Sequence, residues 1–334
     1  VREFAFELRL CAALERRFGS DTVVARQLGA SVANPGGRIV DVVCVHPGPE
    51  FAARTALTDA AIPAAAIESR VGTGRARFWK DAFDCHPRTA RRATERALEI
   101  GFFERERRGG RDYVRQRARY PDWFGRLVAI ENKPDLERPG DLEGQLRTDV
   151  SLALADEVIL ATESYVTGAH LNRIPEEVGV WRFHPERVAE GSSADGDPIE
   201  VIREPTPLPV GRPGTEPLEN HPGRTDVAFV SPERKARARR RLAERAYGKG
   251  WRTYAFPACT VCEADASSGA TLPHCPWAGN IVDAGSDCGT DCAGYEPGDE
   301  QVSAADLASE REARTGWVRD PAGPSVQSGL DRFL

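Results

Sequence analysis

Arg126-Leu127-Val128-Ala129-Ile130-Glu131-Asn132-Lys133 decides how the chain is read. An apolar run of strand character ends in an acid and a base two residues apart. The two-residue period of a strand places both on one face. If a second acid reaches that face from a neighbouring strand, two carboxylates can hold a hard divalent cation such as Mg²⁺ or Mn²⁺ that keeps waters for chemistry. Asp41, inside the apolar strand Ile39-Val40-Asp41-Val42-Val43-Cys44-Val45, is the first candidate, because an acid without a partner in such a strand is costly. Asp122, beside Pro121 and nearer in sequence to Glu131, is the alternative acid. Taken alone, Glu131 and Lys133 also suit a same-face ion pair at a sheet edge, which is worth little.

Working outward, residues 2–18 carry Phe4, Leu8, Cys11 and Leu14 at helical spacing, and strands over 22–32 and 39–45 flank the turn Asn34-Pro35-Gly36-Gly37. After Glu131-x-Lys133, an apolar stripe over 141–155 predicts a helix with Asp141 as N-cap, followed by strands at 157–161 and 179–183. Strand, helix, strand implies a parallel crossover, hence an α/β class. The segment 60–116 breaks this pattern. It holds a helix over 87–100 and two strands joined by Gly109-Gly110, a pair that suits a tight hairpin. Helix, helix and basic hairpin resemble a winged helix-turn-helix. That likeness implies DNA contact through Arg88, Arg91 and Arg92 on the helix and Arg107, Arg108 and Arg111 on the wing. The alternative is a solvated basic face.

The chain has 334 residues, 40% hydrophobic and 29% charged, with formal charge −6 and pI near 5.7. No global positive field draws nucleic acid, so any such contact uses local patches. No apolar run suits a membrane helix and no signal-peptide pattern opens the sequence, so a cytoplasmic location is expected. Lysine is scarce: among 45 basic residues only Lys80, Lys133, Lys235 and Lys249 are lysine. A Lys at 133, where Arg is the default base, therefore stands out. Residues 189–225, rich in Gly and Pro, predict a linker; Lys235–Arg241 a basic helix; 226–297 that helix with a cysteine-rich module; and 298–334 an acidic tail. Five of the eight cysteines, Cys259, Cys262, Cys275, Cys288 and Cys292, cluster there with His274. Four of these six suit a tetrahedral Zn²⁺ site that staples a loop-rich segment.

Asp41, Glu131-x-Lys133 and Gln145 on the following helix, with Glu7 on the leading helix, resemble the motifs of the PD-(D/E)XK nuclease superfamily. The order helix, hairpin, acid-x-Lys strand, helix, strand is similar too. The chain also resembles an uncharacterised halophilic-archaeal family. The nuclease resemblance implies a restriction-endonuclease-like mixed sheet core over 1–50 and 117–188, with a winged-helix-like insertion and a C-terminal Cys-rich metal module. It implies phosphodiester hydrolysis, with DNA as the expected substrate. Asp41 and Glu131 bind Mg²⁺ or Mn²⁺, Lys133 orients water or stabilises developing charge, Gln145 positions water, and Glu7 completes the shell. Some relatives carry a [4Fe-4S] cluster, the rival to zinc at the cysteines. Asn132, polar where the superfamily usually places an apolar residue, and the long insertion depart from its pattern. The rival function is a non-catalytic DNA-binding regulator on a degenerate nuclease fold.

Overall fold

The leading helix α1 (Glu3–Phe18) buries Phe6, Leu10, Cys11 and Leu14 at helical spacing, so one stripe requires a partner surface. A sheet supplies it. In this computed structural model, which describes residues 3–138, 140–188 and 196–314, α1 is followed by β1 (Val23–Gly29) and β2 (Ile39–Pro47), antiparallel about the expected turn. Then come α2 (Phe51–Leu57), α3 (Ala64–Ile67), β3 (Arg77–Phe78), α4 (Pro87–Glu99), β4 (Phe103–Arg108) and β5 (Arg111–Gln116). β6 (Phe124–Asn132) is the strand quoted above; α5 (Leu142–Leu152), β7 (Glu157–Thr162), α6 (Gly168–Leu171), β8 (Gly179–Phe183) and β9 (Ile199–Arg203) follow. The rest is a hairpin of β10 (Gly214–His221) and β11 (Arg224–Val230), helix α7 (Pro232–Lys249), short strands β12 (Glu263–Asp265), β13 (Leu272–Cys275) and β14 (Asn280–Ile281), and α8 (Ala304–Arg314).

The main sheet is mixed, in the order β1-β2-β6-β7-β8-β9. β1, β2 and β6 run antiparallel to their neighbours, β6, β7 and β8 are parallel, and β9 closes the edge antiparallel. The chain is thus α/β, as the crossover predicts. Alternation along the strands sorts side chains into two cores. Val42, Cys44, Val128, Ile130, Ile159 and Trp181 pack under α1, whereas Val43, Val45, Leu127, Ala129, Leu160 and Val180 pack under α5 and α7. The segment between β2 and β6 has its own core, built on Phe102, Phe103, Ala97 and Val114. Its sheet order is β3-β5-β4, and both glycines of the β4–β5 turn have positive φ, 52° at Gly109 and 74° at Gly110. The hairpin turn is therefore the one two adjacent glycines favour.

Three boundaries differ from the sequence reading. Residues 189–195 lie outside the described residues, but the remainder of the expected linker is structured: β9 is the sixth strand of the main sheet and β10–β11 a hairpin lying along α5. Most of its prolines and glycines mark strand ends and turns, and Pro217 sits at the irregularity in β10, where a lost ladder bond costs least. The basic helix is no part of a cysteine module, because Leu242, Ala243, Ala246 and Tyr247 of α7 sit in the main core. Two of its basic residues are internal: Lys235 is buried and donates to the carbonyls of Pro209 and Arg212 (3.4 and 3.0 Å), and Arg239 donates to Leu154 O and Asp156. The cysteine segment is no separate unit either. Cys262, Leu272, Cys275 and Ile281 share the core under α1. Of the expected tail, 298–314 contains α8, which buries Leu307, while 315–334 lie outside the described residues.

Candidate active site

The β2–β6 pairing ends at Val42↔Ile130, and the next residues of the two strands, Asp41 and Glu131, stay close enough for the Glu131 charge to act on the Asp41 carboxyl. Asp122 precedes β6 at its other end, nine residues from Glu131, and is exposed; its backbone N–H bonds Glu50. At ~3.3 Å per strand residue that separation is about 30 Å, so Asp41 is the acid that accompanies Glu131.

Asp41 is held on both oxygens. Oδ2 accepts from the Asn132 backbone N–H at 2.8 Å and Oδ1 from Gln27 Nε2 at 3.2 Å. Gln27 stands at φ 53°, a left-handed kink in β1. Its amide also donates to Glu7 Oε2 at 2.7 Å, so Gln27 bridges the two carboxylates. Glu7 is buried and further receives Arg26 Nε and Asn132 Nδ2. Across the sheet, Arg38 Nη2 donates to Glu131 Oε2 and to Asp149 Oδ2, each at 2.6 Å, and Arg38 Nε donates to Asp149 Oδ1 at 3.0 Å. Glu131, Arg38 and the Asp149 side chain are all buried.

This crowding has an electrostatic result. Burial, then the charges of Glu131 and Glu7, push the Asp41 carboxyl up to about 8, against the Asn132 N–H and Arg38. Burial also raises Glu131, more than Arg38 lowers it. Metal-free protein therefore holds a proton at Asp41 that the unfolded chain releases near its ordinary 3.8. Between about pH 4 and pH 8 the native state binds the extra proton, so stability falls as pH rises and levels off above. Urea unfolding in chelator across that range should show the decline, and Asp41→Asn should flatten it. A wild-type profile that is flat or rising would contradict the assignment.

Of the other expected residues, Lys133 lies one step past the end of β6, its N–H continuing the ladder to Ala161 O at 2.9 Å. Its half-buried ammonium makes no hydrogen bond or ion pair among the described residues. Gln145 is on α5, one turn before Asp149, and helical spacing puts both on one face. Its side-chain amide has no partner among the described residues. Asp141 occupies the N-cap position without a side-chain cap bond. Arg38, Asp149, Gln27 and Arg26 were missed by sequence reasoning. Only Asp149 had a signal, its four-residue offset from Gln145.

The donor set fits one hard divalent ion that keeps most of its water: two neighbouring carboxylates, one of them, Asp41, raised by burial and then by like charge. It does not fit an all-protein cage. Among the described residues no group of three or more His, Cys, Asp or Glu side chains is arranged to hold a metal ion.

The same holds at the cysteines, though the thiols are neighbours. Cys259 and Cys262 share a turn, with Cys262 N donating to Cys259 O at 3.2 Å. Continuing the β12–β13 register beyond Glu263↔His274 pairs Cys262 with Cys275. Burial, then Cys288, Cys275 and Cys259, raise the Cys262 thiol to about 12. Alternation along β13 puts His274 on the face opposite Cys275. On the insertion, Arg91 pairs with Glu95 and Arg108 with Glu106, and Arg111 lies over Phe78, whereas Arg88, Arg92 and Arg107 make no ion pair among the described residues. No helix of the described residues is long and apolar enough to cross a membrane.

Residues 23–297 match the model of a family described as a family of unknown function (DUF5787). No curated protein and no solved structure matches the chain.

Proposed function

Taking as premise that the chain belongs to the family of unknown function (DUF5787), we propose that it is a Mg²⁺- or Mn²⁺-dependent nuclease on a PD-(D/E)XK core, acting on DNA. The observation that carries this reading is the pair of neighbouring buried carboxylates, Asp41 and Glu131, on the strand end that Lys133 continues. Strand order supports it: helix, antiparallel hairpin, acid-x-Lys strand, helix and parallel strand follow one another in space as in that superfamily. When bound, the ion would neutralise phosphate charge and acidify a water. Asp41 and Glu131 would hold it. Lys133 donates to the non-bridging phosphate oxygen as negative charge grows there. Gln145 orients the attacking water through its free amide, and Glu7, through Gln27 and Asn132, fixes Asp41 in place. The three-stranded sheet and α4 support a winged-helix reading of the insertion, with Arg88, Arg92 and Arg107 on phosphate. The test is cleavage of plasmid and single-stranded DNA with Mg²⁺, Mn²⁺ or chelator. Metal-dependent scission supports the enzyme; binding without scission sinks it.

One observation favours a second reading. The Arg38 guanidinium already bridges Glu131 and Asp149, so a fixed cation neutralises the carboxylate that the metal needs. A DNA-binding regulator on a degenerate nuclease scaffold has that property, and Arg38→Ala separates the two. The enzyme loses cleavage or stability, whereas the regulator keeps DNA affinity with no scission in either form.

Zinc belongs to the same proposal. Cys259, Cys262, Cys275 and Cys288 are the ligands that turn, register and shared burial favour, with Cys292 nearby and His274 facing away. The purified protein should carry one zinc per chain by mass spectrometry, lost in Cys262→Ser. Iron and a brown chromophore would assign the [4Fe-4S] cluster instead.

A further inference from the structure

The row of the sheet beyond Glu131 holds more than Lys133. Parallel register pairs Glu131 with Leu160 and Asn132 with Ala161, so Lys133 falls beside Thr162, which is itself registered with Arg182 on β8. Leu160 and Val180 face the α5 side, and two-residue alternation puts Thr162 and Arg182 on that face too. Lys133 and Arg182 are thus cations of one row, two strands or about 10 Å apart. Arg182 is poorly satisfied: its Nε is buried without a hydrogen-bond partner, and among the described residues its one carboxylate neighbour, Glu200, is at 4.0 Å. Its guanidinium lies 5.7 Å from the ring centroid of Tyr165, a residue that is 73% exposed. The loop carrying Tyr165 is fastened to the one after Lys133, because Ser164 Oγ donates to Pro134 O at 3.2 Å and accepts from Leu136 N at 3.0 Å.

The geometry points to a nucleotide platform formed by Tyr165 and Arg182, which takes an unpaired base and its phosphate from single-stranded nucleic acid and leads the strand to Lys133. An exposed ring backed by a guanidinium stacks any unpaired base, whereas bases inside a duplex are already stacked on both faces. The inference rests on the nuclease reading for what lies beside the platform, and its test does not use cleavage. Fluorescence anisotropy in chelator would compare short labelled oligo-dT, oligo-rU and a blunt duplex on the wild-type full chain, Tyr165→Ala, Tyr165→Phe and Arg182→Gln. Tyr165→Ala should weaken single-strand binding about fivefold or more while Tyr165→Phe keeps it and duplex affinity stays unchanged; Arg182→Gln should weaken it as well. Binding of oligo-dT, oligo-rU or both supports the platform and names the sugar it accepts. The proposal is overturned if the wild type binds neither single strand, if Tyr165→Ala binds as the wild type does, or if it loses single strand and duplex alike. A chain that shows the expected binding and never cleaves keeps the platform and loses the nuclease. A chain that cleaves with Tyr165→Ala binding unaltered does the reverse.

Discussion

Lys133→Ala should cut metal-dependent cleavage by about 10²–10³-fold, the usual loss when one preorganised donor is taken from a developing oxyanion. The stability of the variant should stay within about 0.5 kcal/mol of wild type, because the ammonium has no partner among the described residues and its backbone N–H, which the substitution keeps, makes the ladder bond to Ala161. Lys133→Arg should recover part of the rate: the charge remains, but a planar fork replaces a compact point donor. Single-turnover cleavage beside a urea melt separates the readouts. A Lys133→Ala protein that cleaves at the wild-type rate would remove the catalytic assignment, whatever the fold. Glu131→Gln is a less clean probe, since it also frees Arg38, held at 2.6 Å.

The parts of this arrangement legible in the sequence are those written in local periodicity. The apolar alternation of β2 and β6 predicts two strands, and Glu131-x-Lys133 shares a face by strand geometry alone. That Asp41 comes near Glu131 depends on a β2–β6 register that the hairpin turn and the buried faces select together. Arg38 illustrates what local pattern does not carry. It follows the Gly36-Gly37 turn, where a basic residue looks solvated, and it becomes buried only because Glu131 and Asp149 arrive from β6 and α5. Asn132, polar where an apolar residue is usual, has a use that appears only in three dimensions: its N–H binds Asp41 and its amide binds Glu7.

The misplaced boundaries have a common cause. Composition marks 196–225 as loop because Pro and Gly are frequent, yet β9 needs just one buried residue, Ile199, to close an edge. In α7 the charges suggest solvent, but Lys235, Arg239 and Glu244 are buried, because carbonyls and a carboxylate of distant segments accept from the two bases and Arg54 donates to the acid. Long-range pairing of this kind leaves no periodic trace.

Glu244→Ala should be the most destabilising single change in the protein, by about 3–5 kcal/mol, the cost of stranding a buried charge. Arg54 is fully buried, and its Nε and Nη2 meet the two Glu244 oxygens at 2.8 Å each. The same carboxylate accepts from Ile62 N at 2.9 Å, Tyr120 OH at 2.7 Å and Trp123 Nε1 at 3.1 Å. Arg54 spends its other donors on Thr58 O and Ala60 O, and its guanidinium lies 3.9 Å from the Tyr247 ring centroid. One α7 side chain thereby fastens both ends of the inserted segment, at 54–62 and 120–123, to the main core. Loss of Glu244 leaves a charge and several donors unanswered at once. Arg54→Met with Glu244→Gln should regain most of the stability, because an amide oxygen still accepts from Ile62, Tyr120 or Trp123 and no buried charge is left alone. Urea unfolding of both variants gives the energies, and limited proteolysis over 50–123 reports whether the insertion comes loose first. A Glu244→Ala protein that loses less than about 1 kcal/mol, or one no better rescued by the double change, would mean the pair is solvated and the insertion is anchored by apolar packing alone.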